Sequence, residues 1–326
     1  MAQRKPAQVH GLLVIDKPAG WTSRDVVNKV SGLLGEKRVG HAGTLDPMAT
    51  GILLIAFGEA TKGVRWWQDA AKTYETTVRF GAATLSDDAE SPVLRTAKVP
   101  VLTAEKILAA LPPFGEVMQV PPAVSALQRG GVRDHARVRK GEIVVRDPRP
   151  VKLESVEVLG ISGADVQLRV TCGAGFYIRA LGRDLGDALQ SAAHLAGLRR
   201  TSGGGYGLVD AIGLEAFQKL PEEERFAHLR PLPEALGHVL PTLTVDDALV
   251  LAFRQGKQPV VPTALRGDVL ILDELGRAVC VVVAHEDEAG APLPADQARL
   301  VVERGFVAPE TLASAAEPTE AAEESA

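Results

Sequence analysis

Hydrophobic and polar positions along this chain change their period several times. Leu12 to Ile15 is a short continuous apolar run, which reads as a buried strand. Val26, Val27, Val30, Leu33 and Leu34 then recur at helical spacing. Thr22 or Ser23 can cap that helix, Asp25 falls in its first turn and Gly35 can end it. Ile52 to Phe57 is apolar again, and Thr73 to Phe80 alternates like a half-buried strand. Leu85 to Glu90 reads as a polar loop, and Thr103 to Leu111 as a short helix stopped by Pro112-Pro113. The proline-marked stretch that follows, through Pro121-Pro122 and on towards residue 150, reads as irregular. Val151–Leu159 and Val166–Thr171 predict a hairpin. Apolar positions 178, 181, 185 and 189 mark one helix face, with Arg179, Arg183 and Asp187 off it. Strands and helices mix without a regular β-α-β alternation, which favours an α+β fold.

A break falls around Pro231 to Pro241. Beyond it, Val245 to Arg254 is helix-like, and the apolar runs Asp268–Leu272 and Ala278–Ala284 flank a turn at Gly276. This predicts domains at 1–235 and 240–307. The last segment, 308–326, holds Ala, Glu, Pro, Ser and Thr with little to bury, and reads as a disordered acidic tail.

At 326 residues the chain is long enough for two domains, and its 46% hydrophobic content can supply cores built mostly of Leu, Val, Ile and Ala. No apolar run reaches membrane-spanning length, and Met1 to Pro6 lack the apolar core of a secretion signal. A cytoplasmic protein is expected. The two cysteines, Cys172 and Cys280, lie far apart, and the seven histidines show no zinc-ligand spacing, so neither a disulfide framework nor a metal site is expected. The net charge of −5 is unevenly spread. Five acids and no base lie between Pro309 and Ala326, which leaves the rest of the chain neutral. Between Arg129 and Lys152, eight bases face three acids. A local basic patch of this kind is what phosphate binding needs, although alone it is equally an ordinary solvated face.

Residues 40–51, Gly-His-Ala-Gly-Thr-Leu-Asp-Pro-Met-Ala-Thr-Gly, carry the strongest chemical signal. Gly, Thr and Pro at this density exclude a helix interior or central strand and predict a loop. It holds His41 and Asp46 between two packed elements, a good platform for chemistry. Taken alone, Asp46-Pro47 would merely start a turn. Other motifs accompany it. Gly11 to Ser23 includes Asp16-Lys17-Pro18-Ala-Gly20-Trp-Thr22-Ser23. Downstream come Lys72-x-Tyr74, then Cys172-Gly-x-Gly175-x-Tyr177-Ile178-Arg179 leading to Asp184-Leu185-Gly186, and Leu195-x-x-Leu198-Arg199-Arg200-Thr201. In this order the set resembles the bacterial tRNA pseudouridine synthase B family over residues 11–201.

The resemblance implies a pseudouridine synthase catalytic domain with a mixed, mainly antiparallel sheet and an RNA-gripping insertion at about 86–150. It also implies isomerisation of uridine 55 in the T loop of tRNA. Asp46 takes the place of the catalytic carboxylate and Arg179 that of its partner. A guanidinium there has a physical reason, because it favours the charged form of a desolvated carboxylate. Tyr74 matches a stacking residue, Tyr177 a second substrate contact and Leu198 an apolar wall. His41 matches a residue near the space the base vacates. Lys17 and Pro18 read as structural, and an acid at Asp88 or Asp87 lies near the site. The chemistry starts from an ionised carboxylate: nucleophilic attack at C1′, attack at C6, or removal of a ribose proton. The sequence leaves all three open. No cofactor is expected. The β-rich C-terminal part is similar by position and pattern to the PUA domain of RNA-modifying enzymes.

The chain departs from the family pattern at Ala123-Val124-Ser125-Ala126-Leu127-Gln128 and in Asp134 to Gly141, where RNA contacts rather than catalysis are affected. The leading expectation is a stand-alone, monomeric enzyme acting on the tRNA T stem-loop, with no obligatory protein partner. Its alternatives are a non-catalytic RNA-binding or tRNA-folding protein on the same scaffold, and a guide-RNA-dependent synthase.

Overall fold

A computed structural model describes residues 9–122, 128–129, 132–133, 146–288 and 291–306. Much of the basic run, including Arg137, Arg139 and Lys140 in the segment that departs from the family pattern, and the acidic tail lie outside these residues. The main sheet contains β1 (Gly11–Lys17), β2 (Val39–Ala42), β3 (Thr50–Phe57), β4 (Lys72–Phe80), β5 (Gly115–Gln119), β6 (Arg149–Ser162), β7 (Asp165–Cys172), β8 (Ala193–Gly203) and β9 (Ile212–Gly213). Its order is β9-β1-β3-β8-β4-β7-β6-β5, with β2 pairing β3 and Tyr206–Gly207 pairing β8. Only β9 with β1 and β3 with β8 are parallel. The sheet is mixed and mainly antiparallel, as expected.

The elements follow from the pattern. Helix α1 (Ser23–Leu34) buries Val26, Val27, Val30 and Leu34. Thr22 and Asp25 form a reciprocal capping box, and Gly35 closes the helix at φ 67°. On β4 the inward positions Lys72, Tyr74, Thr76, Val78 and Phe80 are all buried. The 151–171 hairpin is β6 with β7.

Two expectations are corrected. His41 sits on a strand, not in a loop, because β2 is bonded on one side only, to β3, where glycine is tolerated. The loop proper is residues 43–49. The stretch read as irregular after Pro113 contains β5, an edge strand that turns only Val117 and Gln119 inward and so gives almost no apolar signal.

Strands β1 and β3 are buried on both faces. Leu13, Ile15, Leu53, Ile55 and Phe57 pack with α1 and with α4 (Ile178–Ala188), which follows α2 (Val64–Asp69) and α3 (Ala104–Ala110) in the chain. Leu12, Val14, Ile52 and Leu54 pack on the opposite face with Trp66 and Trp67 of α2, and with Leu236.

The C-terminal part adds α5 (Asp247–Arg254) and a five-stranded sheet made of β10 (Thr242–Thr244), β11 (Val260–Pro262), β12 (Gly267–Leu272), β13 (Ala278–His285) and β14 (Gln297–Gly305). Its order is β10-β12-β13-β14-β11. Leu270 and Val281 of this sheet join the apolar cluster on the back of the main sheet. Around them, Arg65 pairs with Glu303 and Asp268, Trp66 Nε1 donates to Asp268 (2.9 Å), and Lys62 Nζ donates to the Gly305 carbonyl (3.0 Å).

Candidate active site

The loop of residues 43–49 is held by the first signature of the chain. Lys17 is fully buried, and its Nζ donates to the carbonyls of Trp21 (2.7 Å), Pro18 (2.9 Å) and Pro47 (3.2 Å). The Gly20 amide donates to the same Pro47 carbonyl (2.8 Å). Ser23 Oγ accepts from the Leu45 amide (2.8 Å) and donates to its carbonyl (3.1 Å). Asp46 is thus fixed between two anchored neighbours. Burial pulls the Lys17 ammonium down to about 8, against the opposing field of Asp46.

Asp46 faces Arg179 at the start of α4. Nη2 donates to Oδ1 (3.0 Å), and Nε lies 2.9 Å from Oδ2. The guanidinium also donates to the Ser86 carbonyl (2.7 Å) and lies 3.4 Å from an Asp88 oxygen. Arg179, off the apolar face by its spacing, is nonetheless almost fully buried, because the 86–88 turn covers it. Asp88 is therefore the acid at the site, while Asp87 pairs with Arg183. Burial raises the Asp46 carboxyl above the ordinary aspartate range; Arg179 opposes this and Asp88 adds to it.

A cavity of about 390 Å³ opens at this pair. Asp46, Tyr74, Tyr177, Arg179 and Leu198 all line it, so five of the six expected site residues converge from the loop, β4, β8 and α4. His41 does not line it. Its carbonyl accepts from Gln68 Nε2 (3.4 Å), and Gln68 is on the cavity wall. The His41 ring is kept neutral, first by burial and then by the fields of Arg200 and Arg24. Tyr74 is buried, and burial pushes its hydroxyl upward, so it stays protonated.

Sequence reasoning assigned no role to two basic residues that also line the cavity. Arg200 is buried and donates to the carbonyls of Ile52 (2.6 Å) and Gly43 (3.1 Å), which ties the loop to β3. Lys72 donates to the carbonyls of Gln68 and of Ala70 (2.6 Å) at the end of α2; burial brings it to about 8. Both residues stand in quoted motifs, so the signal was present, but their targets are main-chain carbonyls brought close only by the fold. The Asp46–Arg179 pair, the apolar wall and the protonated tyrosine can together hold an ionised carboxylate against a flat, uncharged ring.

The model of the TruB family pseudouridylate synthase (N terminal domain) matches residues 32–178. The tRNA pseudouridine synthase B of Paracoccus denitrificans (strain Pd 1222) is 42% identical over 283 residues, 86% of this chain and 94% of that protein. The protein of the same name from Ruegeria pomeroyi is 44% identical over 293 residues, 88% of this chain and 95% of that one. Among solved structures, a chain in a Cbf5-Nop10-Gar1 complex superimposes with a TM-score of 0.69 at 26% identity, covering 93% of this chain and 87% of that chain.

Proposed function

The chain belongs to the TruB family of pseudouridylate synthases, and on that premise we propose that it isomerises uridine 55 in the T loop of tRNA to pseudouridine, with Asp46 as the catalytic carboxylate. It is a tRNA pseudouridine synthase, an isomerase. The observation that carries the role of Asp46 is its two-point pairing with buried Arg179 at a cavity large enough for a nucleotide.

The target uridine leaves its stack and enters the cavity, as bases do for enzymes that act on them. Tyr74 stacks on the uracil and Leu198 gives it a dry wall. Asp46 acts ionised; burial alone would protonate it, and Arg179 opposes that. Attack at C1′, attack at C6 and removal of a ribose proton all begin from this state. His41 acts at the rim, beside the space the base leaves.

Residues 1–235 form the catalytic domain, with an RNA-gripping insertion at about 86–150. Residues 240–307 form a PUA-like RNA-binding domain, and 308–326 are an acidic tail. The protein acts in the cytoplasm as a monomer without an obligatory protein partner. Among the described residues no helix is long and apolar enough to cross a membrane. A purely RNA-binding role would leave a carboxylate paired with a buried guanidinium in the lining of a cavity without use.

The test uses unmodified tRNA transcript and purified protein in EDTA. Pseudouridine is mapped by carbodiimide-dependent primer-extension stops, with Asp46→Asn alongside. A stop at uridine 55 with the wild type and none with the variant is expected. No stop with the wild type while tRNA stays bound would overturn the assignment.

A further inference from the structure

Gln119 and Arg149 are cross-strand partners where β5 ends and β6 begins. Both reach the same short segment of the active site. Gln119 is buried, and its amide closes a two-bond ring on the main chain of Tyr177. The Tyr177 N–H donates to Oε1 (2.9 Å), and Nε2 donates to the Tyr177 carbonyl (3.1 Å). Arg149 approaches from the side. Its guanidinium carbon lies 5.0 Å from the centre of the Tyr177 ring, and Nη2 donates to the Gly175 carbonyl (2.8 Å).

The segment needs such a clamp. Gly173 and Gly175 precede Tyr177, and Gly175 sits at φ 78°, so the backbone has little stiffness of its own. Tyr177 is the N-cap residue of α4, yet its side chain makes no capping bond. Arg179 follows two residues later, and its pairing with Asp46 depends on where α4 begins.

We propose that Gln119 and Arg149 are positioning residues for Tyr177 and, through the start of α4, for Arg179, and that Arg149 serves in this way rather than as a phosphate contact. The inference rests on the pseudouridine-forming reading of the site. By sequence Arg149 belongs to the basic run of 129–152, where it would be one more charge for an RNA backbone. The two roles make different demands. A phosphate contact needs a positive charge, which lysine also supplies. A cation lying against an aromatic ring while it donates to a carbonyl uses the planar fork of arginine, which lysine lacks.

The experiment compares Arg149→Lys, Arg149→Ala and Gln119→Met in the full-length chain. It measures the single-turnover rate of pseudouridine formation at saturating tRNA, the tRNA Kd over a range of salt, and the thermal unfolding midpoint. Both Arg149 variants are expected to lose about ten-fold or more in rate, as misplaced catalytic groups do. Kd and the slope of log Kd against log salt are expected to hold. Gln119→Met is expected to match them. An Arg149→Lys enzyme at wild-type rate, with Arg149→Ala flattening the salt slope, would make Arg149 a phosphate contact and overturn the inference. Wild-type rates in all three variants would also overturn it. If Gln119→Met shows no unfolding transition, Arg149→Lys decides alone. A wild-type enzyme that forms no pseudouridine would count against the proposed function, and so the two failures are distinct.

Discussion

Lys17→Met isolates a buried charge that tethers the 43–49 loop at the Pro47 carbonyl. Wild-type Lys17 is fully buried and its ammonium is drawn down to about 8, from about 10.4 for a free lysine. Between those two values the unfolded chain binds the proton more tightly than the folded one, so stability rises with pH across this window. Below it both states are protonated and the slope vanishes. The difference corresponds to about 3 kcal/mol. Lys72 is drawn to about 8 as well, so the wild-type slope contains two such groups. The informative quantity is therefore the difference curve between wild type and Lys17→Met, with Lys72→Met as a second reference. Urea unfolding measured from about pH 7.5 to 10.5 should show the variant falling behind the wild type by about 3 kcal/mol over the range. At pH 7.5 the variant also loses three donated hydrogen bonds. Pro47 keeps the Gly20 amide, whereas Trp21 and Pro18 carbonyls lose a charged donor. Pseudouridine formation should fall with the tether on Pro47. A variant curve parallel to the wild type over the whole window would refute the reasoning, since it would mean that Lys17 titrates as it does in water.

Asp46→Asn should abolish pseudouridine formation and leave tRNA affinity within a few-fold of wild type; an equal collapse in a filter-binding assay would contradict a purely chemical role. Because burial raises the Asp46 carboxyl, the single-turnover rate should drop on acidification at a pH above the ordinary aspartate range, and a flat profile down to that range would contradict it. Arg179→Met should move that acid limb to higher pH, since the group that favours ionisation goes while Asp88 remains. Gly51 sits at φ 101°, where an added Cβ would run into the Arg200 carbonyl, so Gly51→Ala should lose about 3 kcal/mol in a denaturant titration. Neutralising Arg137, Arg139 and Lys140 together should weaken tRNA binding and flatten its salt dependence; an unchanged slope would remove these residues from the interface.

Much of the fold was legible because its elements bury one periodic face. The alternation on β4 and the 3.6-residue spacing of α1 and α4 each matched an observed element. Strand β5 was hidden because an edge strand with two inward residues has no periodicity to detect. In the site, Asp46, Tyr74, Tyr177, Arg179 and Leu198 could be named from ordered motifs, and the fold brings them to one cavity. What the motifs could not convey was who holds whom. Ser23 binds Leu45, Lys17 binds Pro47, and Arg200 binds Gly43, each across more than twenty residues of chain and each through a main-chain atom. Side-chain identity gives no hint of such partners, because every residue offers the same carbonyl and amide. The same blindness placed Arg149 among solvated bases, when its guanidinium lies over the Tyr177 ring and donates to the Gly175 carbonyl.

The junction between the two sheets has a mechanical consequence. Leu270 and Val281 share one apolar cluster with the back of the main sheet, and Arg65 and Trp66 are fastened to Asp268 and Glu303 at its margin. The same short helix that carries Arg65 and Trp66 ends in Gln68 and Asp69, on the cavity wall. The C-terminal sheet is thus mounted like the fixed jaw of a caliper, not tethered like a hook on a cord. Were an RNA to touch this sheet while a base reached the cavity beside Asp46, the fixed mounting would set the distance it has to span.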